Sequence, residues 1–255
     1  LISLGMTPFQ VGVIATATLL GSGVLTLLIG LYAGRFPYRV LLLLASLLMA
    51  ATGFGFATLS SFWPLLIIAA VGTLNPSSGD VSVFLPLEHA LMSRAVADNQ
   101  RTAVFARYSL VGALIGALGA LFAALPQFAA DRFDVSLSSM YQAMFVLYGV
   151  LGLAAARIYA TLPKTDAAHH RQQSAPLRKS KKIVYMLSAL FSLDSFGGGF
   201  VVQSMLALWL YQKFDLSIAV TASIFFWSGV LSAFSYLVAV RIANRFGLVN
   251  TMVFT

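Results

Sequence analysis

Residues 8–39 read PFQVGVIATATLLGSGVLTLLIGLYAGRFPYR, an apolar run that meets its first charge at Arg35 and its second at Arg39. A helix crosses the hydrocarbon core of a bilayer with about 20 mostly apolar residues, and this run exceeds that length. It lacks the period-2 alternation, over about 10 residues, of a membrane-barrel strand. Thr7 and Pro8 supply an N-cap and a first-turn proline. The stretch therefore predicts a membrane-spanning helix that leaves the bilayer at a basic end.

The same pattern recurs outward along the chain. Spans are predicted at residues 8–32, 39–59, 63–83, 103–125, 140–162, 183–211 and 217–240, the last opened by Ser217 as N-cap. An eighth begins at 248–255. Composition agrees. Of 255 residues, 59% are hydrophobic and 9% charged, whereas a soluble domain uses about 25% charged residues to cover its water-facing surface. The mean hydropathy is +0.88. A soluble globular enzyme, a disordered chain and, without cysteine, a disulfide scaffold are excluded. The expected fold class is all-α, a polytopic transmembrane helical bundle. Within it, Gly112, Gly116 and Gly119 have the spacing that lets helix backbones approach closely.

Lysine and arginine set the orientation. The formal net charge of +8 comes from 16 Lys and Arg against 8 Asp and Glu. Counted over alternate connections and their flanks, 14 of the 16 fall on one side, and Arg132 and Lys213 on the other. Positive loops stay in the cytoplasm. Connections 34–38, 87–102, 163–182 and 244–247 are therefore predicted to be cytoplasmic, and 60–61, 126–139 and 212–216 external. So placed, the excess charge orients the chain in a bilayer and does not point to nucleic acid.

A weak repeat appears at an offset of 210 residues, where Thr7 aligns with Ser217 and Ala33-Gly34-Arg35-Phe36 with Ala243-Asn244-Arg245-Phe246. Both copies run from outside to inside, as a parallel duplication requires, and two such halves are a transporter plan. The expected organisation is an N-terminal half at 1–162, a basic cytoplasmic linker at 163–182 and the start of a C-terminal half at 183–255. The linker is polar and cannot bury a core. Its Arg178–Lys182 run suits anionic lipid head groups or serves only as a positive-inside signal. His169 and His170 in it read as solvated side chains, not a metal pair.

Gly30-Leu31-Tyr32-Ala33-Gly34-Arg35-Phe36-Pro37-Tyr38-Arg39 resembles the cytoplasmic signature between the second and third helices of the major facilitator superfamily, roughly G-x-L-A-D-R-x-G-R-R. Leu4-Gly5-Met6-Thr7-Pro8-Phe9-Gln10-Val11-Gly12 resembles the loop leading into the second helix, and Asn244-Arg245-Phe246-Gly247 the degenerate second copy. The resemblance spans the chain and implies a piece of a longer protein, from the second helix to the start of the ninth. It implies alternating access between two halves, with Gly30, Arg35, Arg39, Asn244 and Arg245 as a cytoplasmic gate. The sequence departs from the pattern at Gly34, where the family places a gating Asp, and at Pro37, where it places a second Gly. The region 72–80 lacks the Arg that many relatives carry, and Gly116 is followed by Ala117 where drug antiporters show Gly-Pro.

Ionisable side chains inside a span are costly and mark function by default. Asp194 lies 12 residues beyond Lys182, which at about 1.5 Å per residue is some 18 Å into the membrane. Burial raises a carboxyl pKa, which suits a group that takes and releases a proton or pairs with a cation. An interhelical hydrogen bond is the competing role. Gly197, Gly198 and Gly199 make a hinge or a discontinuous segment, and Gln203 adds a polar group one turn on. Asn75, Pro76, Gly79 and Asp80 are a second site, in which the helix breaks either to gate or simply to cap. Glu88, His89, Arg94, Asp98 and Arg101 read as an interfacial helix with ion pairs, and His89 as a proton relay is the sharper alternative. Phe225, Phe226, Trp227, Tyr236, Phe105 and Tyr108 line a pocket or pack against lipid. Trp63 and Trp209 sit at the outer ends of spans, where interfacial belts lie.

No nucleophile elbow, metal-ligand cluster or phosphate loop appears, so neither an enzyme nor a cofactor is expected. The reading is a proton-coupled secondary active transporter of a small solute, with export ahead of uptake. It is expected to be monomeric in its full-length form, set in the lipid bilayer of a bacterial inner membrane. An uptake permease for a metabolite, or a non-transporting scaffold or receptor of the same fold, are the alternatives.

Overall fold

A computed structural model describes residues 1, 4–74, 82–97, 100–163, 181–198, 203–247 and 250. The described elements are helices: α1 Pro8–Tyr32, a 3-10 turn Ala33–Arg35, α2 Tyr38–Thr58, α3 Phe62–Val71, α4 Phe84–Ala95, α5 Arg101–Phe122, α6 Leu125–Phe133, α7 Leu137–Ala160, α8 Lys181–Gly198, α9 Gln203–Phe214 and α10 Ile218–Phe246. Five stretches, Pro8–Arg35, Tyr38–Thr58, Arg101–Phe133, Leu137–Ala160 and Ile218–Ala243, are long and apolar enough to cross a membrane. The protein is an all-α membrane bundle, as its composition requires.

The ends of these helices follow local chemistry. Thr7 and Gln10 form a reciprocal cap: the Gln10 N–H donates to Thr7 Oγ1 at 3.3 Å, and the Thr7 N–H to Gln10 Oε1 at 2.9 Å. Ser217 caps α10 by accepting from the Val220 N–H at 3.2 Å. At the far ends, Pro37 opens α2 after the 3-10 turn, and α10 stops at Gly247, whose φ of 86° few other residues tolerate. The two copies of the repeat thus share a side-chain N-cap and an arginine at the C-terminal end, where a cation complements the helix dipole.

Three expected bounds change. The span at 63–83 is helical as α3 only to Val71, and Gly72 is extended. The connection at 87–102 is largely helix, because α4 runs from Phe84 to Ala95. The connection at 126–139 contains α6, started by Pro126 and stopped at Asp134, whose φ is 53°.

The described chain divides into two compact units, Leu1–Leu87 with Gln142–Leu208, and Glu88–Tyr141 with Trp209–Thr255. In the first, α1 packs on α3. Gly21 of α1 lies against the backbone of Ala70 in α3, where no Cβ would fit. On α2, Ser46, Ala50 and Gly53 meet Phe145, Gly149 and Gly152 of α7 with backbones nearly in contact. Buried Thr18, Ser46 and Thr52 satisfy their hydroxyls on carbonyls of their own helices, Ala15, Leu42 and Leu48. Such bonding lets small polar residues sit at an apolar interface.

In the second unit α5 packs along α10. The approach uses Ala117, which is 3% exposed, against Gly229, where a Cβ would lie 2.9 Å from that of Ala117. The expectation for Gly112, Gly116 and Gly119 is therefore corrected: a Cβ on any of them meets nothing within 4 Å. They share spacing but lie on a face of α5 other than the one that meets α10. Gly112→Ala and Gly116→Ala are accordingly expected to leave the thermal unfolding midpoint unchanged or to raise it, since Ala favours a helix by about 1 kcal/mol over Gly. Gly229→Val is expected to lower it by about 1–3 kcal/mol equivalent through overpacking.

Candidate functional site

The cytoplasmic signature builds around the turn that ends α1. Gly30 is exposed, and a Cβ placed on it would meet nothing within 4 Å. Arg35 is exposed at the end of the 3-10 turn, with its guanidinium 5.0 Å from the Tyr32 ring centre. Arg39 is half-buried in the first turn of α2. In the second copy Arg245 is exposed in the last turn of α10 and lies 5.6 Å from the Phe246 ring centre. Asn244 shares that turn, and its side chain is outside the described residues. Each copy thus sets its arginine on a neighbouring aromatic ring, a contact worth about 0.5–1 kcal/mol at an exposed site. Gly34 offers neither arginine the carboxylate that the superfamily signature would supply.

The backbone of Asp194 belongs to α8, which is helical without interruption from Lys181. Its side chain lies outside the described residues. Residues 181–193 are exposed, so this apolar stretch needs lipid or other helices around it. Gly197 and Gly198 close α8, Gly199 is outside the described residues, and Gln203, half-buried, opens α9. Asn75, Pro76, Gly79 and Asp80 are outside the described residues as well.

The approach to that second site is described. After Gly72 the chain leaves α3, and the Thr73 hydroxyl bonds the Tyr148 hydroxyl of α7 at 3.1 Å. Thr52 of α2 lies against Gly72, whose Cβ would come within 2.7 Å of its hydroxyl. The bond between Thr73 and Tyr148 ties down the chain where the helix stops bonding to itself. The sequence signal for this tie is weak, because Tyr148 sits in an apolar run and its partner is distant in sequence. Tyr148→Phe is expected to cost about 0.6–1.7 kcal/mol, the range for interhelical hydrogen bonds in membranes. A double-mutant cycle with Thr73→Val in thermal or denaturant unfolding measures the coupling.

Of the aromatic candidates, Trp227 lines a shallow apolar groove on α10 with Ala219, Ser223, Ile224 and Leu231. A similar groove on α1 is lined by Phe9, Val13, Ala17 and Leu20. The residues Phe9, Val13 and Ala17 of one groove stand at the repeat offset from Ala219, Ser223 and Trp227 of the other. The same face is therefore open on the two related helices. Phe105 and Tyr108 instead pack against His89. Trp63 and Trp209 are 71% and 50% exposed. Among the described residues no cluster of three or more His, Cys, Asp or Glu is placed to hold a metal.

A family profile described as the Major Facilitator Superfamily matches residues 2–255. The chain belongs to the Major Facilitator Superfamily. The chain is also similar to a curated uncharacterized membrane protein of Saccharomyces cerevisiae, YJR124C, 24% identical over 282 aligned positions. That alignment covers 97% of this chain and 63% of the relative, so the chain spans under two thirds of the relative's length. No solved structure matches it.

Proposed function

We propose that the protein is a secondary active transporter that moves a small solute by alternating access. The observation that carries the proposal is the superfamily match along residues 2–255, since superfamily members are transporters and not enzymes. The moving parts are the halves 1–162 and 183–255, joined by the cytoplasmic linker 163–182. The α5–α10 contact links a helix of one half to a helix of the other and is the seam about which they rock.

Asp194 is the proton carrier, supported by its depth along α8. Gln203, Asn75 and Asp80 contribute polar groups to the solute path, and Pro76, Gly79 and Gly197–Gly199 give its helices their breaks. Arg35, Arg39, Asn244 and Arg245, with Gly30, form the cytoplasmic gate. The open faces of α1 and α10 are apolar, and embedded charges are few, so the solute is neutral and apolar or a small cation. Export is the direction proposed, from the superfamily prior. The protein works as a monomer in a membrane bounding the cytoplasm, the bacterial inner membrane being the one proposed from its positive-inside loops.

A second reading, a non-transporting protein of the same fold, draws on one observation: Gly34 stands where the signature carries its gating Asp. Reconstitution separates the two. The full-length protein in liposomes with a pH dye inside is expected to move protons when a transported solute is added. A correctly inserted protein that moves no protons with any of a panel of small apolar and cationic solutes overturns proton-coupled transport.

A further inference from the structure

Apart from the residues assigned above, α4 and α5 bring an acid, an imidazole and a phenol together in the second unit. The Tyr108 hydroxyl donates to Oε2 of Glu88. The His89 ring stands edge-on to the rings of Phe105 and Tyr108, at 4.9 and 5.4 Å between centroids. Its Nε2 is buried and has no hydrogen-bond partner among the described residues. A buried nitrogen left so costs free energy, which a protein retains where the group has work to do.

We propose that Glu88, His89 and Tyr108 form a proton-binding site that couples protonation to the contact between α4 and α5. With the carboxylate ionised and the imidazole neutral, the group carries one negative charge. A proton taken from water adds to the lone pair of the imidazole, forms an N–H bond and brings the sum to zero. Glu88 and His89 are neighbours on α4, and neighbouring helical side chains point apart. They communicate through Tyr108, whose ring touches the imidazole and whose hydroxyl holds the carboxylate. Protonation of the imidazole draws on the carboxylate and weakens its hold on Tyr108, loosening α5 from α4.

Arginines lie on the two helices that carry the site and on α10, which packs on α5. Arg94 is in the last turn of α4. Arg101 of α5 donates from Nε to the Ser93 carbonyl at 3.0 Å, and Arg107 of α5 is exposed. Arg241 and Arg245 lie on α10, which packs on α5, and both are exposed. Tyr159 of α7 stacks at 6.1 Å on Phe84, one turn before Glu88. The arginines keep their charge at all relevant pH, and histidine is the side chain that changes charge between pH 5 and 8.

The chain has three histidines, and His169 and His170 lie in the linker and serve as internal references. The test is imidazole NMR of the ring-labelled full-length protein in nanodiscs between pH 5 and 8. Glu88→Gln removes the negative charge and is expected to lower the His89 midpoint, leaving His169 and His170 unmoved. Tyr108→Phe breaks the connection, is expected to move the same midpoint, and stands in if Glu88→Gln does not insert. A His89 signal that does not titrate in this range, or a midpoint unmoved in both variants, overturns the proposal. Neither outcome bears on Asp194, whose role is read from flux.

Discussion

Asp194→Asn is expected to reduce proton-driven flux in proteoliposomes to about 1% of the native rate, the scale of losing an essential acid–base group. Asparagine keeps the size and the hydrogen-bonding reach of aspartate but cannot take up and release a proton. If Asp194 only holds two helices together, the amide makes much the same bond and flux persists. The helix α8 runs without a break from Lys181 past this residue, and on the proposed reading of a span there the group sits where hydrocarbon disfavours its charged form. Native flux down a pH gradient in the Asn variant, with insertion verified, removes Asp194 from the mechanism. Counterflow of solute without a gradient is the companion measurement. The variant should retain it, because binding and rocking do not need the proton to leave.

A large effect on stability is expected at Gly53. A Cβ there would lie 2.5 Å from the Gly149 nitrogen and 2.8 Å from the Phe145 carbonyl oxygen. Both are backbone atoms of α7, which cannot turn aside as the tip of a side chain can. Gly53→Ala must therefore push α2 and α7 apart, and it is expected to cost about 1–3 kcal/mol, with Gly53→Leu at or beyond the top of that range. Apolar solvent gives no compensating push between membrane helices, whose association rests on close packing. Gly30→Ala is the control: its side chain meets nothing within 4 Å and stability should hold or rise slightly. Thermal unfolding in detergent, followed by loss of the monodisperse peak, checks both. Equal midpoints for Gly53→Ala and Gly30→Ala would show that α2 and α7 do not meet at Gly53.

The contrast between Gly53 and Gly112 shows where reading the chain residue by residue stops. Both are glycines in apolar helices with small residues three or four places away. Gly53 lies at a backbone crossing, whereas Gly112 has open space around it. Spacing identifies a stripe that permits close approach, but which neighbour occupies it depends on how the helices are arranged. Thr73 and Tyr148 belong to the same class, since a hydroxyl pair 75 residues apart leaves no local trace. Glu88 and Tyr108, 20 residues apart, read locally as an ion-pair member of an interfacial helix and as an aromatic that lines a pocket or packs against lipid, and only the meeting of α4 with α5 makes them partners.

What the chain alone determined is the lipid environment, the helical class, the caps at Thr7 and Ser217 and the likeness of Arg35 to Arg245. These follow from transfer free energies and hydrogen bonds that close within a few residues, so local sequence carries them in full. The tertiary structure decided which small residues touch, where α3 stops, and that the His89 ring stands against those of Phe105 and Tyr108. Those outcomes depend on contacts between segments far apart in the chain, whose free energies exist only once the helices have met.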